Sequence, residues 1–148
     1  MIFALATPAG KAALAVFRIS GSGCHEVISK ILDKNIAEFN RVFLRKIIHD
    51  GVLVDVSTVV FYKSPKSYTG EDMVEVFCHG GFATLKKLID LFHNLNIREA
   101  ATGEFTKISV LNGKQTLNEA ESLLDLINST TDAEMNMALG VVAGELSN

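Results

Sequence analysis

Residues 73–78 (MVEVFC) constrain the fold more than any other part of this sequence, because they predict a strand in the interior of a sheet. Alternate residues of a strand point to opposite faces, and here both faces are apolar apart from one carboxylate, Glu75. Two apolar faces are typical of a strand that has neighbours on either side. Because burial of an unpaired charge is strongly unfavourable, Glu75 is expected to have a cationic partner or to meet a ligand.

The remaining strands and helices indicate the fold class. The dipeptide Asp50-Gly51 lies between two segments rich in β-branched residues and predicts a hairpin turn. The predicted strands cover residues 2–6, 14–20, 42–48, 52–62, 73–78 and 97–100. The predicted helices cover residues 24–32, 82–95 and 102–112. Because strands and helices do not alternate regularly, we predict an α+β fold in which helices cover a mixed sheet.

Two capping boxes, Thr116 with Glu119 and Thr131 with Glu134, predict two further helices in the C-terminal part of the chain. Their apolar stripes are Leu117, Ala120, Leu124 and Ile127 in the first helix, and Met135, Leu139, Val142 and Leu146 in the second. The rest of the chain supplies little that could cover these stripes. We therefore expect an interface or a self-associating surface there.

The composition limits the classes of function. A net charge of −3 disfavours direct binding of nucleic acid, which needs a concentrated basic surface. The two cysteines, Cys24 and Cys78, lack the spacing of a zinc site or a disulfide framework and fit the reducing cytoplasm. No apolar run approaches the roughly 20 residues that span a bilayer, so we expect no membrane association. The sequence contains no P-loop motif and no Ser-His-Asp arrangement, so we predict no catalytic residue and no metal site.

Arg18 is a second charged residue on a predicted apolar strand, which indicates an internal ion pair or a clamp for an anion. A direct pair between Arg18 and Glu75 would explain both residues without a ligand, and the residues alone leave the two interpretations equally open. The segment at residues 79–81 (HGG) is either a tight turn or a surface for a polar ligand. The loop at residues 68–72 (YTGED) is either a pocket wall or a turn with two solvated acids. Lys114, taken alone, is an ordinary solvated lysine in a turn.

Four groups of short motifs follow one another along the chain. They are residues 6–10 (ATPAG) with 17–21 (FRISG), residues 68–75 (YTGEDMVE), residues 79–81 (HGG), and residues 102–106 (TGEFT) with 111–114 (LNGK). In this order and spacing they resemble the N-terminal region of the MnmE family, also called TrmE. Members of that family are GTPases that help to modify the wobble uridine of certain tRNAs.

The resemblance implies a domain organisation and a ligand. It implies a folate-binding and dimerisation domain over residues 1–116, related in type to the aminomethyltransferases, and the incomplete start of a helical domain over residues 117–148. The chain is then expected to be a truncated or partial product, without the GTPase domain that holds GTP, magnesium and potassium in the family. Arg18, Glu75 and Lys114 match positions implicated in binding a tetrahydrofolate derivative, in its 5-formyl or 5,10-methylene form.

The resemblance also implies partners and leaves alternatives. It implies a cytoplasmic homodimer that works with the FAD-dependent protein MnmG (GidA), with tRNA as an indirect substrate and the folate as donor of the one-carbon unit added at C5 of the uridine. One alternative is a free-standing folate-dependent one-carbon transferase, against which the lack of a second-substrate site argues. The other is an interaction domain in which Arg18 and Glu75 only form a buried ion pair.

Overall fold

A computed structural model of the chain describes residues 1–7, 13–128, 131–133, 135–137 and 139–140. Two features of the sequence lie partly outside these ranges. Residues 8–10 of the first motif group (ATPAG) lie outside the described residues. So do Glu134 of the second capping box and Val142 and Leu146 of the second apolar stripe.

The described residues form one six-stranded mixed sheet. Its strands are β1 (Ile2–Leu5), β2 (Leu14–Ser20), β3 (Phe43–His49), β4 (Val52–Tyr62), β5 (Met73–His79) and β6 (Arg98–Glu99). They lie in the order β3-β4-β5-β2-β1-β6, and all neighbours are antiparallel except β1 and β6. The helices are α1 (Cys24–Ser29), α2 (Phe82–Asn94), α3 (Glu104–Leu111) and α4 (Leu117–Ile127). This arrangement confirms the predicted α+β class.

The hairpin formed by β3 and β4 turns at Asp50 and Gly51, as predicted. Both residues have positive φ angles, 50° and 73°, which is the backbone that a two-residue hairpin turn requires. Glycine adopts this conformation without steric cost, and aspartate is among the residues that tolerate it. The local sequence therefore fixes the connection between these two strands.

One face of the sheet, which we call the closed face, packs against α1 and α2. Val74 and Val76 of β5 lie there, fully buried in the core that both helices share with the sheet. Three aromatic rings fill its centre: Phe92 of α2 lies 5.2 Å from Phe3 and 5.3 Å from Phe17 between ring centroids. The apolar stripe predicted for residues 82–95 consists of Leu85, Leu88, Ile89 and Phe92. All of these are buried except Ile89, which is partly buried, and Leu91 is a further buried residue of the helix.

The prediction for α1 was wrong at its C-terminal end. The helix ends at Ser29, three residues before Leu32, the predicted limit. Leu32 instead forms a β-bridge with Ile47 of the edge strand β3, and Asp33 accepts a hydrogen bond from the backbone N–H of Lys46. Backbone bonds from Asp33 N–H to Lys46 O and from Ile48 N–H to Ile31 O accompany this side-chain contact. The segment after the helix thus covers part of the edge of the sheet, which would otherwise be open to pairing with another strand.

The helix α4 begins at the predicted capping box. The Thr116 side chain accepts a hydrogen bond from the backbone N–H of Glu119, and the Glu119 carboxylate accepts one from the backbone N–H of Thr116. Its predicted apolar stripe lies in solvent, with Leu117, Leu124 and Ile127 all exposed. No described residue covers this face of α4, in agreement with the expected exposed patch.

Candidate functional site

The opposite face of the sheet, which we call the open face, carries Arg18 and Glu75 beside a cavity. The two residues are directly opposite each other on the neighbouring strands β2 and β5. The cavity has a volume of about 440 Å³. Its walls are formed by Arg18, Asn40, Tyr62, Lys66, Ser67, Tyr68, Met73 and Glu75. Two of the three predicted site residues therefore meet at one cavity.

Glu75 is held by two side chains, one at each carboxylate oxygen. Arg18 donates from Nε to Oε2 over 3.0 Å, and the hydroxyl of Tyr62 donates to Oε1 over 2.5 Å. Burial and the hydrogen bond to Glu75 raise the pKa of Tyr62 to about 12, so this hydroxyl remains a donor at physiological pH. The side chain of Glu75 is 13% exposed. Each of its oxygens has more than one lone-pair site, so the carboxylate can accept further hydrogen bonds from a ligand.

Arg18 lies over an aromatic ring in addition to its ion pair. Its guanidinium carbon is 4.9 Å from the centroid of Tyr68, a cation–π distance, and its side chain is 34% exposed. The Tyr68 hydroxyl contacts Thr106 Oγ1 and receives a hydrogen bond from Gln115 Nε2, each at 3.1 Å. Tyr68 is thus fixed between the cavity and the segment that connects α3 with α4.

The loop at residues 68–72 contributes to the wall of the cavity, which is the first of the two roles that the sequence left open. Tyr68 forms part of the cavity wall, while the two acids hold the loop in place. Glu71 accepts a hydrogen bond from Ser20 Oγ at 3.4 Å, and Asp72 accepts one from the backbone N–H of Ser64 at 2.8 Å. The acids are therefore structural parts of the loop and not freely solvated groups.

The structure does not bring Lys114, the third predicted residue, into the cavity wall. Its side chain is exposed and lies behind the loop, where a Cβ atom added to Gly70 would meet Lys114 Cγ at 3.2 Å. Gly70 has a φ of 80°, so a side chain at this position would be strained as well as crowded. The role of Lys114 in ligand binding remains a prediction from the resemblance.

Sequence reasoning missed four residues of the cavity: Asn40, Tyr62, Lys66 and Ser67. Tyr62 could have been found only from strand pairing, since it reaches Glu75 because β4 and β5 are neighbours and Val60 stands opposite Glu75. Asn40 and Lys66 belong to connecting segments, and no sequence motif placed them near the strands. A polar residue near a pocket-forming loop is too common a signal to select these two.

His79 has a structural partner away from the cavity. Its ring nitrogen Nδ1 lies 2.8 Å from Asp55 Oδ1, and its backbone N–H donates to Asp55 Oδ2 over 3.1 Å. Burial alone would raise the pKa of Asp55, but hydrogen bonds from Ser57 and His79 outweigh it and lower the pKa below its ordinary value of 3.8. Asp55 therefore fastens the end of β5 to β4, which supports the tight-turn interpretation of the HGG segment.

Other reactive groups do not form a second centre in the described part of the chain. Burial raises the pKa of the Cys24 thiol to about 12 and that of Cys78 to about 11, which makes both thiols unreactive. Within the described ranges no group of three or more His, Cys, Asp or Glu side chains is arranged to hold a metal ion. The helices among them are all too short or too polar to cross a membrane.

Comparison with known proteins places these features in a family. The family described as "GTP-binding protein TrmE N-terminus" matches residues 1–114. Proteins named tRNA modification GTPase MnmE are similar over nearly the whole chain. The Thermotoga maritima protein is 47% identical over 150 residues, covering 98% of this chain and 32% of the relative. The Caulobacter vibrioides protein is 41% identical over 146 residues, covering 99% and 32%.

A third relative gives a similar match. The Malacoplasma penetrans protein, also named tRNA modification GTPase MnmE, is 40% identical over 138 residues, covering 93% of this chain and 31% of the relative. The chain thus spans about a third of the length of these relatives. Because the family match covers most of the chain and includes Arg18, Glu75 and Lys114, the chain belongs to the TrmE N-terminus family.

Proposed function

We propose that this chain is the folate-binding part of a tRNA modification GTPase, and that the cavity over Glu75 holds a tetrahydrofolate derivative. When bound, the folate would supply the one-carbon unit for C5 of the wobble uridine. GTP hydrolysis would belong to parts of the protein beyond this third. The homodimer, the partnership with MnmG and the cytoplasmic location are proposed on the same family resemblance.

The observation that carries the proposal is the carboxylate of Glu75 beside a cavity of suitable size. The pterin ring of a folate presents adjacent N–H donors along one edge, and an ionised carboxylate can accept two of them together. Tyr62 and Arg18 orient the Glu75 oxygens and leave them acceptor capacity. The cavity of about 440 Å³ falls within the range of roughly 300–1,000 Å³ that small-molecule sites occupy.

The aromatic wall supports the same class of ligand. Tyr62 and Tyr68 both line the cavity, and ring systems such as a pterin gain free energy from contact with aromatic side chains. Arg18 remains partly exposed, so its other guanidinium nitrogens can contact a polar group of the ligand. The fit is therefore chemical as well as spatial: paired acceptors, aromatic surface and a cation meet at one place.

Calorimetry with 5-formyltetrahydrofolate tests the proposal directly. The wild-type chain should bind the folate and should not bind GTP, because the P-loop motif is absent. Glu75→Gln should weaken folate binding by about 1.5–3 kcal/mol, roughly 10- to 150-fold, because the amide replaces an acceptor oxygen by a donor. The matched control is Glu26→Gln, on the exposed surface of α1, which should bind as tightly as the wild type.

A second comparison separates the proposal from an interaction domain with a structural ion pair. If no folate binds even at millimolar concentration, and if Glu75→Ala unfolds the chain while the additional change Arg18→Met restores its stability, the pair is only structural. Weakened binding by a Glu75→Gln variant that unfolds at the same temperature as the wild type supports the ligand site. Thermal unfolding of each variant makes the distinction.

A further inference from the structure

Among the residues that the structure describes, Lys66 is the charged residue of the cavity wall without an ion pair. The wall contains three charged residues, Arg18, Lys66 and Glu75, and the first and last form an ion pair with each other. Lys66 is exposed at the rim, and among the residues that the structure describes no carboxylate lies within ion-pair distance of it. In the wall of the cavity, the charges of Arg18 and Glu75 therefore compensate each other, and Lys66 adds one positive charge.

We propose that Lys66 binds the carboxylates of the glutamate tail of the folate, and that the site consequently prefers folates with several γ-linked glutamates. The inference rests on the proposed function, because it extends the same site outward from Glu75. It adds a residue that neither the motifs nor the family resemblance selected.

The geometry favours Lys66 over Arg18 for this task. Arg18 already donates to Glu75 and lies over Tyr68, so its position is fixed beside Glu75. Lys66 lies in the connection between β4 and β5, and a lysine carries its charge on a flexible four-carbon chain. A compact charge on a flexible chain can follow carboxylates whose positions vary from one glutamate to the next.

The ligand itself has matching polarity. If the donor edge of the pterin meets Glu75, the tail at the other end of the molecule extends away from it, toward the rim. Each additional glutamate adds a negative charge near Lys66. Attraction between exposed charges is weak and is screened by salt, so the expected preference is modest and should depend on ionic strength.

The test measures binding of three ligands to the chain: a tetrahydropterin without a tail, 5-formyltetrahydrofolate with one glutamate, and the same folate with five. The wild type should bind the pentaglutamate more tightly than the monoglutamate. Lys66→Met should weaken binding of the monoglutamate about threefold and binding of the pentaglutamate about fivefold. Its affinity for the tetrahydropterin should equal that of the wild type. Raising the salt concentration should reduce the pentaglutamate preference of the wild type and leave Lys66→Met little affected.

Two control variants test whether an effect is specific to the position and to the charge of Lys66. Lys86→Met removes the same charge from the exposed surface of α2, which packs on the closed face, and should bind all three ligands like the wild type. Lys66→Arg keeps the charge and should retain the preference for long tails. If it does, the charge of the side chain and not its shape is responsible.

Each contrary result has its own meaning. If Lys66→Met binds all three ligands as the wild type does, the tail lies elsewhere and the inference is wrong although the folate site stands. If the tetrahydropterin is weakened as much as the pentaglutamate, Lys66 shapes the loop and does not hold the tail, which also overturns the inference. If the wild type binds none of the three, the proposed function itself fails, and the inference with it.

Discussion

The two faces of the seven-residue strand β5 differ in their surroundings: one is packed in the core, and the other lies beside a cavity. On the closed face, Val74 and Val76 are buried by α1, α2 and the neighbouring strands. On the open face, Glu75 is surrounded by polar partners and a cavity. Because alternate side chains of a strand point to opposite faces, the residues on one face of β5 stabilise the core, and those on the other face are free to contact a ligand.

This division explains how a carboxylate can lie in the centre of a sheet. Glu75 shares its strand with residues that are almost completely buried, yet its own face is not covered by α1 or α2. Arg18 and the Tyr62 hydroxyl interact with the carboxylate and compensate for its removal from water. If the comparison is right, substitutions on the closed face should change stability, and those on the open face should change binding.

The largest effect is expected from Phe17→Ala on the closed face of β2. Phe17 is 0% exposed and contacts the rings of Phe3 and Phe92, so its removal leaves a cavity in the core. The free energy of unfolding should fall by about 3–5 kcal/mol, measured by denaturant titration.

Leu14→Ala is the matched control, on the open face of the same strand. Leu14 is 61% exposed, so its loss should change the free energy of unfolding by less than about 0.5 kcal/mol. A Leu14→Ala variant as unstable as Phe17→Ala would mean that the open face is covered in solution, for example by a second copy of the chain. Sedimentation of both variants would then identify the cover.

A smaller effect is expected from Tyr62→Phe on the open face. The change removes the hydroxyl that donates to Glu75 Oε1, while the ring remains in the cavity wall. Hydrogen bonds to charged groups contribute about 1.5–3 kcal/mol when well buried, and this one is partly exposed, so we expect a loss of about 1 kcal/mol in stability. Folate binding should weaken as well, because Glu75 loses one of the groups that orient it.

Tyr68→Phe provides the comparison for that result. Its ring stays beneath the Arg18 guanidinium, and only the contacts of the hydroxyl with Thr106 and Gln115 are lost. Binding should therefore change less than in Tyr62→Phe. Equal weakening of binding in the two variants would show that a general loosening of the cavity wall, and not the orientation of Glu75, controls affinity.

The features that the sequence predicted correctly are those with local causes. The turn at Asp50-Gly51, the capping box that opens α4 and the apolar stripe of α2 each depend on residues within a few positions of one another. The end of α1 was mispredicted because it depends on a bridge from Leu32 to Ile47, and no pattern within the helix reveals a partner 15 positions away.

The site residues, too, can be separated into those that local sequence indicated and those that depend on distant contacts. The residue types indicated that Glu75 needs a partner, and they offered Arg18 as a candidate, but the pairing rests on strand register across 57 positions of sequence. Tyr62 and Lys66 were missed because their place at the cavity follows from the sheet order and from the path of a loop. The motifs selected Lys114, which the structure places against Gly70 of the loop and not in the cavity wall.

An effect of similar size at neutral pH, which is lost in acid, concerns Asp55 of β4, which binds His79 at the end of β5. Its pKa is lower in the folded chain than its ordinary value of 3.8, so the folded state favours the ionised form. The contribution of Asp55 is therefore fully present above about pH 3.8 and is lost as the pH falls through the folded pKa. Asp55→Asn should cost about 1 kcal/mol at neutral pH, and the difference from the wild type should shrink in acid.

Unfolding measured between neutral pH and about pH 3 tests this, with Asp90→Asn on the exposed surface of α2 as the control that should show no such convergence. Because Asp55 bonds to both the backbone and the ring of His79, the variant should loosen the strand end and leave the cavity intact. Folate binding at neutral pH should then equal that of the wild type. Weakened binding would instead mean that the strand end supports Glu75 along β5, so that the two faces are less independent than their contacts indicate.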